Sequence, residues 1–136
     1  MNIIVCLDDR NGMLFNHRRQ SMDKEVRKRI LTITENKTLW MNDYSAKQFA
    51  EQVESITVAE DFLSRAGQDD YCFVENDPIN AYIDKVQSII VYRWNRTYPA
   101  DTFFPKDCLS EKISTVDFSG NSHDRITEEV YRLCVK

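Results

Sequence analysis

Apolar and polar residues follow two periods along this chain, and the switches between them mark its elements. Asn2-Ile3-Ile4-Val5-Cys6-Leu7 is a continuous apolar, β-branched run, which predicts a buried first strand. Asp8-Asp9-Arg10-Asn11-Gly12 then supplies residues that tolerate a left-handed backbone, so that strand ends in a loop. From Asp23 the positions Val26, Ile30 and Ile33 recur at helical spacing, with Ser21 or Asp23 placed to cap the free amides of a helix about three turns long. Thr38-Leu39-Trp40-Met41 predicts a second strand, and Ser45 opens a helix through Phe49, Val53 and Ile56. Thr57-Val58-Ala59 fits a short third strand, followed by a brief helix from Asp61 to Ala66 that Gly67 ends. Tyr71-Cys72-Phe73-Val74 has the pattern of a buried strand. Asp77-Pro78 predicts a helix start, because the carboxylate accepts first-turn amides and proline loses nothing there; that helix should run to about Asp84. Ser88 to Asn95 is a further buried strand. A terminal hairpin follows, turning at Ser119-Gly120-Asn121-Ser122-His123-Asp124 and ending in Glu128 to Val135.

Strands alternating with helices predict an α/β sandwich around a mainly parallel sheet. With 136 residues and 42% hydrophobic content, the chain suffices for one domain with a real core, residues 1–136, and is too short for two. Eighteen basic and 22 acidic residues give a net charge of -4, which removes the general attraction that nucleic-acid binders rely on, so no nucleic-acid partner is expected. The apolar start is short and lacks a basic leader, so it reads as neither a signal peptide nor a membrane span. Cys6, Cys72, Cys108 and Cys134 lie far apart without metal-type spacing, and Cys6, Cys72 and Cys134 sit in apolar strand patterns, which predicts a reduced, cytoplasmic protein. His17 and His123 are the only histidines, with no His-x-His-x-Asp-His run, so no metal site and no metal-dependent hydrolysis are expected. Nor does a Ser or Cys stand in a Gly-x-Ser-x-Gly elbow.

Three segments carry a family resemblance. Ile3-Ile4-Val5 through Asp9-Arg10-Asn11-Gly12-Met13 is similar to the first strand and mobile active-site loop of dihydrofolate reductases, and Asn36-Lys37-Thr38-Leu39-Trp40-Met41 to their second strand. Tyr71 to Pro105, closing on Ala100-Asp101-Thr102-Phe103-Phe104-Pro105, resembles their later strands and the loop between them. The resemblance implies a three-layer dihydrofolate reductase-like fold, mainly parallel, with an antiparallel C-terminal hairpin.

It also implies site residues. An acid early in the first helix supports pterin protonation in that family, and Asp23 is the residue that matches it; the plainer reading is that Asp23 favours the positive end of a helix. Tyr92 falls where the family commonly has a threonine bonded near that acid. Met13 would line the same cleft. His17-Arg18-Arg19 lies in the loop before the helix, where Arg18 and Arg19 suit a phosphate or carboxylate; the alternative is a solvated cluster paired with Asp8, Asp9 or Asp23. Tyr92 and Trp94 share one face of their strand, which predicts core packing.

The cofactor side departs from the family. Where reductases place a Gly-rich turn against the cofactor diphosphate, this chain has Glu75-Asn76-Asp77-Pro78, and their Gly-Arg after the second strand reads Asn42-Asp43. Two readings follow. One is a shortened, divergent scaffold that has lost standard NADPH binding and serves as a small-molecule-binding or interaction module, with an anionic ligand, no cofactor and a homo-oligomer through an aromatic face among its expectations. The alternative is a reductase of a folate-like or pterin-like substrate that uses Asp23 with NADPH or NADH, and it predicts an open cleft between Asp23, Tyr92 and Met13.

Overall fold

The first apolar run forms β1 (Asn2–Leu7), and its alternation sets the layering of the molecule. Ile3, Val5 and Leu7 enter one core and Ile4 enters another on the opposite face. The structure, a computed structural model, describes residues 1–133, with nothing stated of the side chains of 52 and 53. The expectations for Cys134 and the end of the last strand lie outside the described residues.

Along the chain follow β2 (Gly12–Phe15), β3 (Arg18–Arg19), α1 (Lys24–Ile33), β4 (Leu39–Met41) and α2 (Asp43–Ala46), which continues as a tighter 3-10 segment, Lys47–Ser55. Then come β5 (Thr57–Val58), α3 (Phe62–Arg65), β6 (Tyr71–Val74), a 3-10 segment Asn80–Lys85 and β7 (Ser88–Arg93). β8 (Thr102–Phe103), a 3-10 turn Lys106–Cys108, β9 (Lys112–Phe118) and β10 (Ile126–Arg132) complete the described chain. The main sheet has seven strands in the order β5-β4-β6-β1-β7-β10-β9. The first five are parallel, and β10 pairs antiparallel with both β7 and β9.

The predicted three-layer α/β architecture is therefore the one observed. β7 lies between β1 and β10, so it is an inner strand, and its alternation continues that of β1. Ile89 and Val91 join Phe62 and Leu63 of α3 on one side; Ile90, Tyr92 and Trp94 join Val26 and Ile30 of α1 and Phe49 on the other. Tyr92 is fully buried and Trp94 nearly so, as their shared face predicts.

Three expectations are corrected in detail. The stretches read as loops on either side of Gly12 and around Thr102 build a second, three-stranded antiparallel sheet, β3-β2-β8. Asn16 and His17 make its tight turn with φ of 51° and 63°, the left-handed pair that a two-residue hairpin needs, in place of the usual Asn-Gly. The helix expected from Ser45 begins at Asp43, because the Asn42 side chain accepts from Ser45 N at 2.8 Å and caps it. The helix expected at Asp77-Pro78 begins instead at Asn80 as a 3-10 segment, since the Asp77 carboxylate accepts from Asn42 Nδ2 and not from first-turn amides. The brief helix expected from Asp61 to Ala66 is α3, Phe62–Arg65.

Phe73 packs edge-on against Phe49, with ring centroids 5.6 Å apart and both rings buried. Phe73→Ala is expected to lower stability by about 3–5 kcal/mol, read from urea unfolding, since little of the rigid sheet can collapse into the space.

Candidate functional site

The candidate site lies at the carboxyl ends of the parallel strands, where open α/β sheets commonly bind ligands. Asp8, directly after β1, is fully buried and accepts from the amides of Arg10 and Gly12 (2.8 Å each) and Tyr98 (3.1 Å) and from Gln20 Nε2 (3.0 Å). Burial pushes its pKa up, but those four bonds prevail and hold it below the ordinary carboxylate range. Gly12 is required here: a Cβ would stand 2.7 Å from Ala100 Cβ. The bonded Asp8 thus gathers the 9–12 loop, Gln20 and the 96–100 loop above the sheet.

Arg19 leaves β3 and forms a two-pronged ion pair with Glu75 at the end of β6, Nε to Oε2 at 2.7 Å and Nη2 to Oε1 at 3.0 Å. Its guanidinium also stacks over the Tyr44 ring at 4.3 Å and donates to Tyr44 O. The Arg18-Arg19 pair expected to meet an anion together is therefore split: Arg18 is exposed, while Arg19 is neutralised by Glu75, which was not among its anticipated partners. Next to it, Asn42 at the end of β4 donates to Asn76 Oδ1 (2.7 Å) and Asp77 Oδ2 (2.9 Å). Burial raises the Asp77 pKa, helped by Glu60 and Glu75 and opposed by Asn42. Where the resemblance implies bare amides, this corner carries carboxylates, a carboxamide network and Pro78.

Asp23 stands at the N-cap of α1 with 2% of its surface exposed. It accepts from Glu25 N (2.8 Å), Asn121 N (2.8 Å to Oδ2), Ser122 N (2.7 Å) and Ser122 Oγ (3.0 Å). Burial opposes ionisation, yet the amides of Asn121, Ser122 and Glu25 and the Ser122 hydroxyl outweigh it and set its pKa at about 2. The carboxylate is thus engaged by the β9–β10 turn. Gly120 permits the approach, since a Cβ there would lie 2.6 Å from Asp23 Oδ2.

The polar ends of Asp23 and Tyr92 serve different partners. Tyr92 and Glu128 face each other on β7 and β10, and the Tyr92 hydroxyl donates to Glu128 Oε2 at 2.8 Å. Arg29 completes that group, its Nε 2.6 Å from the same oxygen. Burial, then Glu128, pushes the Tyr92 hydroxyl well above its ordinary value. Met13 belongs to the core on the α3 side and Tyr92 to the core on the α1 side, so the sheet separates them. Between the end of β7 and the turn, His123 stacks on Trp94 with centroids 4.7 Å apart and meets Tyr98 Oη through Nε2 at 2.8 Å.

A groove of about 460 Å³ opens between α1 and the 47–55 segment. Lys24, Arg27, Lys28, Lys47 and Gln48 line it opposite a single carboxylate, Glu51, and the buried Gln48 Nε2 has no hydrogen-bond partner. Among the described residues no cluster of three His, Cys, Asp or Glu groups can hold a metal ion, and no helix is long and apolar enough to cross a membrane.

The crossover order, the antiparallel strands at the C-terminal end and the loops gathered above the parallel strands define a dihydrofolate reductase-like fold. Among solved structures, a dihydrofolate reductase from Enterococcus faecalis, complexed with NADP(H) and RAB-propyl, superposes with a TM-score of 0.65 over 98% of this chain and 96% of its own, at 17% sequence identity. No protein-family model matches the chain, and no curated protein matches it.

Sequence reasoning missed the groove, the Glu128–Tyr92–Arg29 group and the role of His123, which reads in the sequence only as part of a hairpin connection. The one available signal was the alternation that puts Glu128 on the same sheet face as Ile126 and Val130.

Because the folded-state pKa of Asp23 lies below its ordinary 3.8, its stabilising contribution is present above that pH and is lost as pH falls toward about 2. Asp23→Asn is expected to lower stability near neutrality by roughly 1–3 kcal/mol, a gap in urea midpoint that narrows below about pH 4. Gly120→Ala is expected to cost a similar ~1–3 kcal/mol, because the new methyl forces the turn off Asp23. A thermal melt checks the second value.

Proposed function

We propose that this chain uses a dihydrofolate reductase-like scaffold to bind an anionic small molecule and has lost standard NADPH-dependent reduction. The observation that carries this reading is the groove between α1 and the 47–55 segment. Lys28 and Lys47 lean on Glu25 and Asp43 at 3.6 Å, exposed pairs that are individually weak, whereas Lys24 and Arg27 pair with no carboxylate among the described residues. A carboxylate or phosphate entering there would meet these cations and give Gln48 Nε2 an acceptor.

The loss of standard cofactor binding is supported by the corner where β4 and β6 end. Glu75 and Asp77 repel a diphosphate, Pro78 offers no amide, and Arg19 is already saturated by Glu75, so these residues do not fit that group. The alternative, a reductase acting on a folate-like or pterin-like substrate with NADPH or NADH, draws support from the NADP(H) bound by the Enterococcus faecalis enzyme. The state of Asp23 weighs against it: proton donation near neutrality needs a raised pKa, and this carboxylate is held at about 2.

Calorimetric titration with inorganic pyrophosphate and with citrate is expected to give saturable binding that weakens about tenfold or more, ~1.4 kcal/mol, in a Lys24→Glu/Arg27→Glu double variant. No binding of either anion would overturn the groove assignment. NADPH, NADH and dihydrofolate are expected to give no heat; saturable micromolar binding of a nicotinamide cofactor would restore the reductase reading and make Asp23→Asn the variant to assay.

A further inference from the structure

The main sheet ends on one side in β9, a seven-residue strand that among the described residues pairs with β10 alone. Its outer side is a row of unpaired backbone donors and acceptors, and Lys112 to Asp117 are all exposed, Ile113 at 49% and Val116 at 41%. β5, the strand at the opposite end, is only two residues long.

β10 serves as a ruler for the side chains of β9. Asp117, Thr115 and Lys112 stand opposite Thr127, Glu129 and Tyr131, evenly spaced by two residues, because the register shift between Val130 and Tyr131 absorbs one residue of β9. Paired residues share a face, so these three side chains line the α3 side of the sheet, where Tyr131 enters the core. The contacts agree: Lys112 Nζ reaches Glu129 Oε2 at 3.1 Å, and Thr127 Oγ1 donates to Asp117 Oδ1 at 2.7 Å. Thr115 thus has a cation two steps away in one direction and an anion two steps away in the other. Without the bulge Lys112 would fall on the opposite face, and that balance would be lost.

We propose that a second copy of this chain pairs antiparallel with β9 about a two-fold axis at Thr115, joining the two main sheets into one. An axis normal to the sheet reverses the strand and returns each face to itself. It therefore sets Lys112 opposite Asp117 of the second copy at one end, and Asp117 opposite Lys112 of the second copy at the other, about 5 Å apart at Cβ. On the α1 side the same operation lays Val116 against Ser114 of the second copy and takes apolar surface out of water. Charges on an edge strand ordinarily keep neighbours away. Here each charge is answered by its opposite, and the cation that Asp117 has within its own chain, Arg125 at 3.8 Å, is an exposed and weak partner. The contact uses the same patch on both copies, so assembly closes at two.

Sedimentation velocity on the unaltered chain, from about 1 μM to about 200 μM, is expected to show a monomer passing to a dimer and to nothing larger. Lys112→Glu and Asp117→Lys are each expected to weaken the dimer about tenfold or more, because like charges then face each other at both ends. Mixed in equal amounts, the two variants are expected to recover the dimer, since every facing pair between them is again opposite in sign. Thr115→Cys tests the axis directly: a residue on the two-fold meets its own copy at a Cα separation of about 4.5–5.5 Å, within disulfide reach. Mild oxidation is expected to link that variant into a covalent dimer, and to leave the unaltered chain and an exposed Lys37→Cys control as monomers on a denaturing gel. The proposal is overturned by a monomer across the whole range, by a dimer indifferent to both charge reversals, by a mixture no tighter than its parts, or by no Thr115→Cys disulfide above the two controls. The cysteine arm decides if either charge variant fails to fold.

Discussion

A buried carboxylate without an opposing cation organises the working end of this molecule. Asp8 has no ion-pair partner among the described residues, and a charge removed from water in that way persists only when hydrogen bonds replace its hydration. The four donors that satisfy it come from its own loop, from the approach to α1 and from the loop after β7, so the solvation of one side chain dictates where three segments meet. Arg93 reinforces the junction from β7, donating to the backbone oxygen of Asp8 and to Asn11 Oδ1. The small antiparallel sheet, the close approach at Gly12 and the position of Tyr98 follow from that convergence.

The same economy of charge runs through the neighbouring contacts. Glu75 is matched by Arg19, Glu128 by Arg29, and Glu129 by Arg93 and Lys112. The first two pairs join a strand to a loop or a helix distant in the chain and the Glu129 pairs join neighbouring strands, and each removes a cation or an anion from the set able to meet a ligand. On α1 and the following segment, Lys24 and Arg27 pair with no carboxylate among the described residues and Lys28 and Lys47 have only exposed, weak pairs, which is why the groove there has a different character from the corner where β4 and β6 end.

Strands and layers were legible in the sequence because burial on two faces demands continuous apolar runs, as in Ile3-Ile4-Val5 and Ile89-Ile90-Val91, while burial on one face of α1 demands the spacing of Val26 and Ile30. Helix starts were less legible where a side chain had two possible employers. Asp77 was readable as a cap but is held by Asn42, and Asn42, read only as a missing cofactor contact, is the cap that starts α2. Asp23 as a cap was visible; its capture by amides 98 residues further along was not, since no local pattern encodes that contact. The pairing of Arg19 with Glu75 escaped notice for the same reason, and Asn16-His17 escaped as a tight turn because two consecutive left-handed residues without a glycine are uncommon.

The position of β1 bears on how the chain acquires its structure during synthesis. β1 is emitted early but is flanked by β6 and β7, and the Ser88–Asn2 hydrogen bond spans 86 residues. At a translation rate of about 5–20 residues per second, a strand this apolar waits several seconds before both neighbours exist. Over that interval Ile3, Ile4 and Val5 are an unpaired apolar segment, open to contact with chaperones or other chains until β6 and β7 are made.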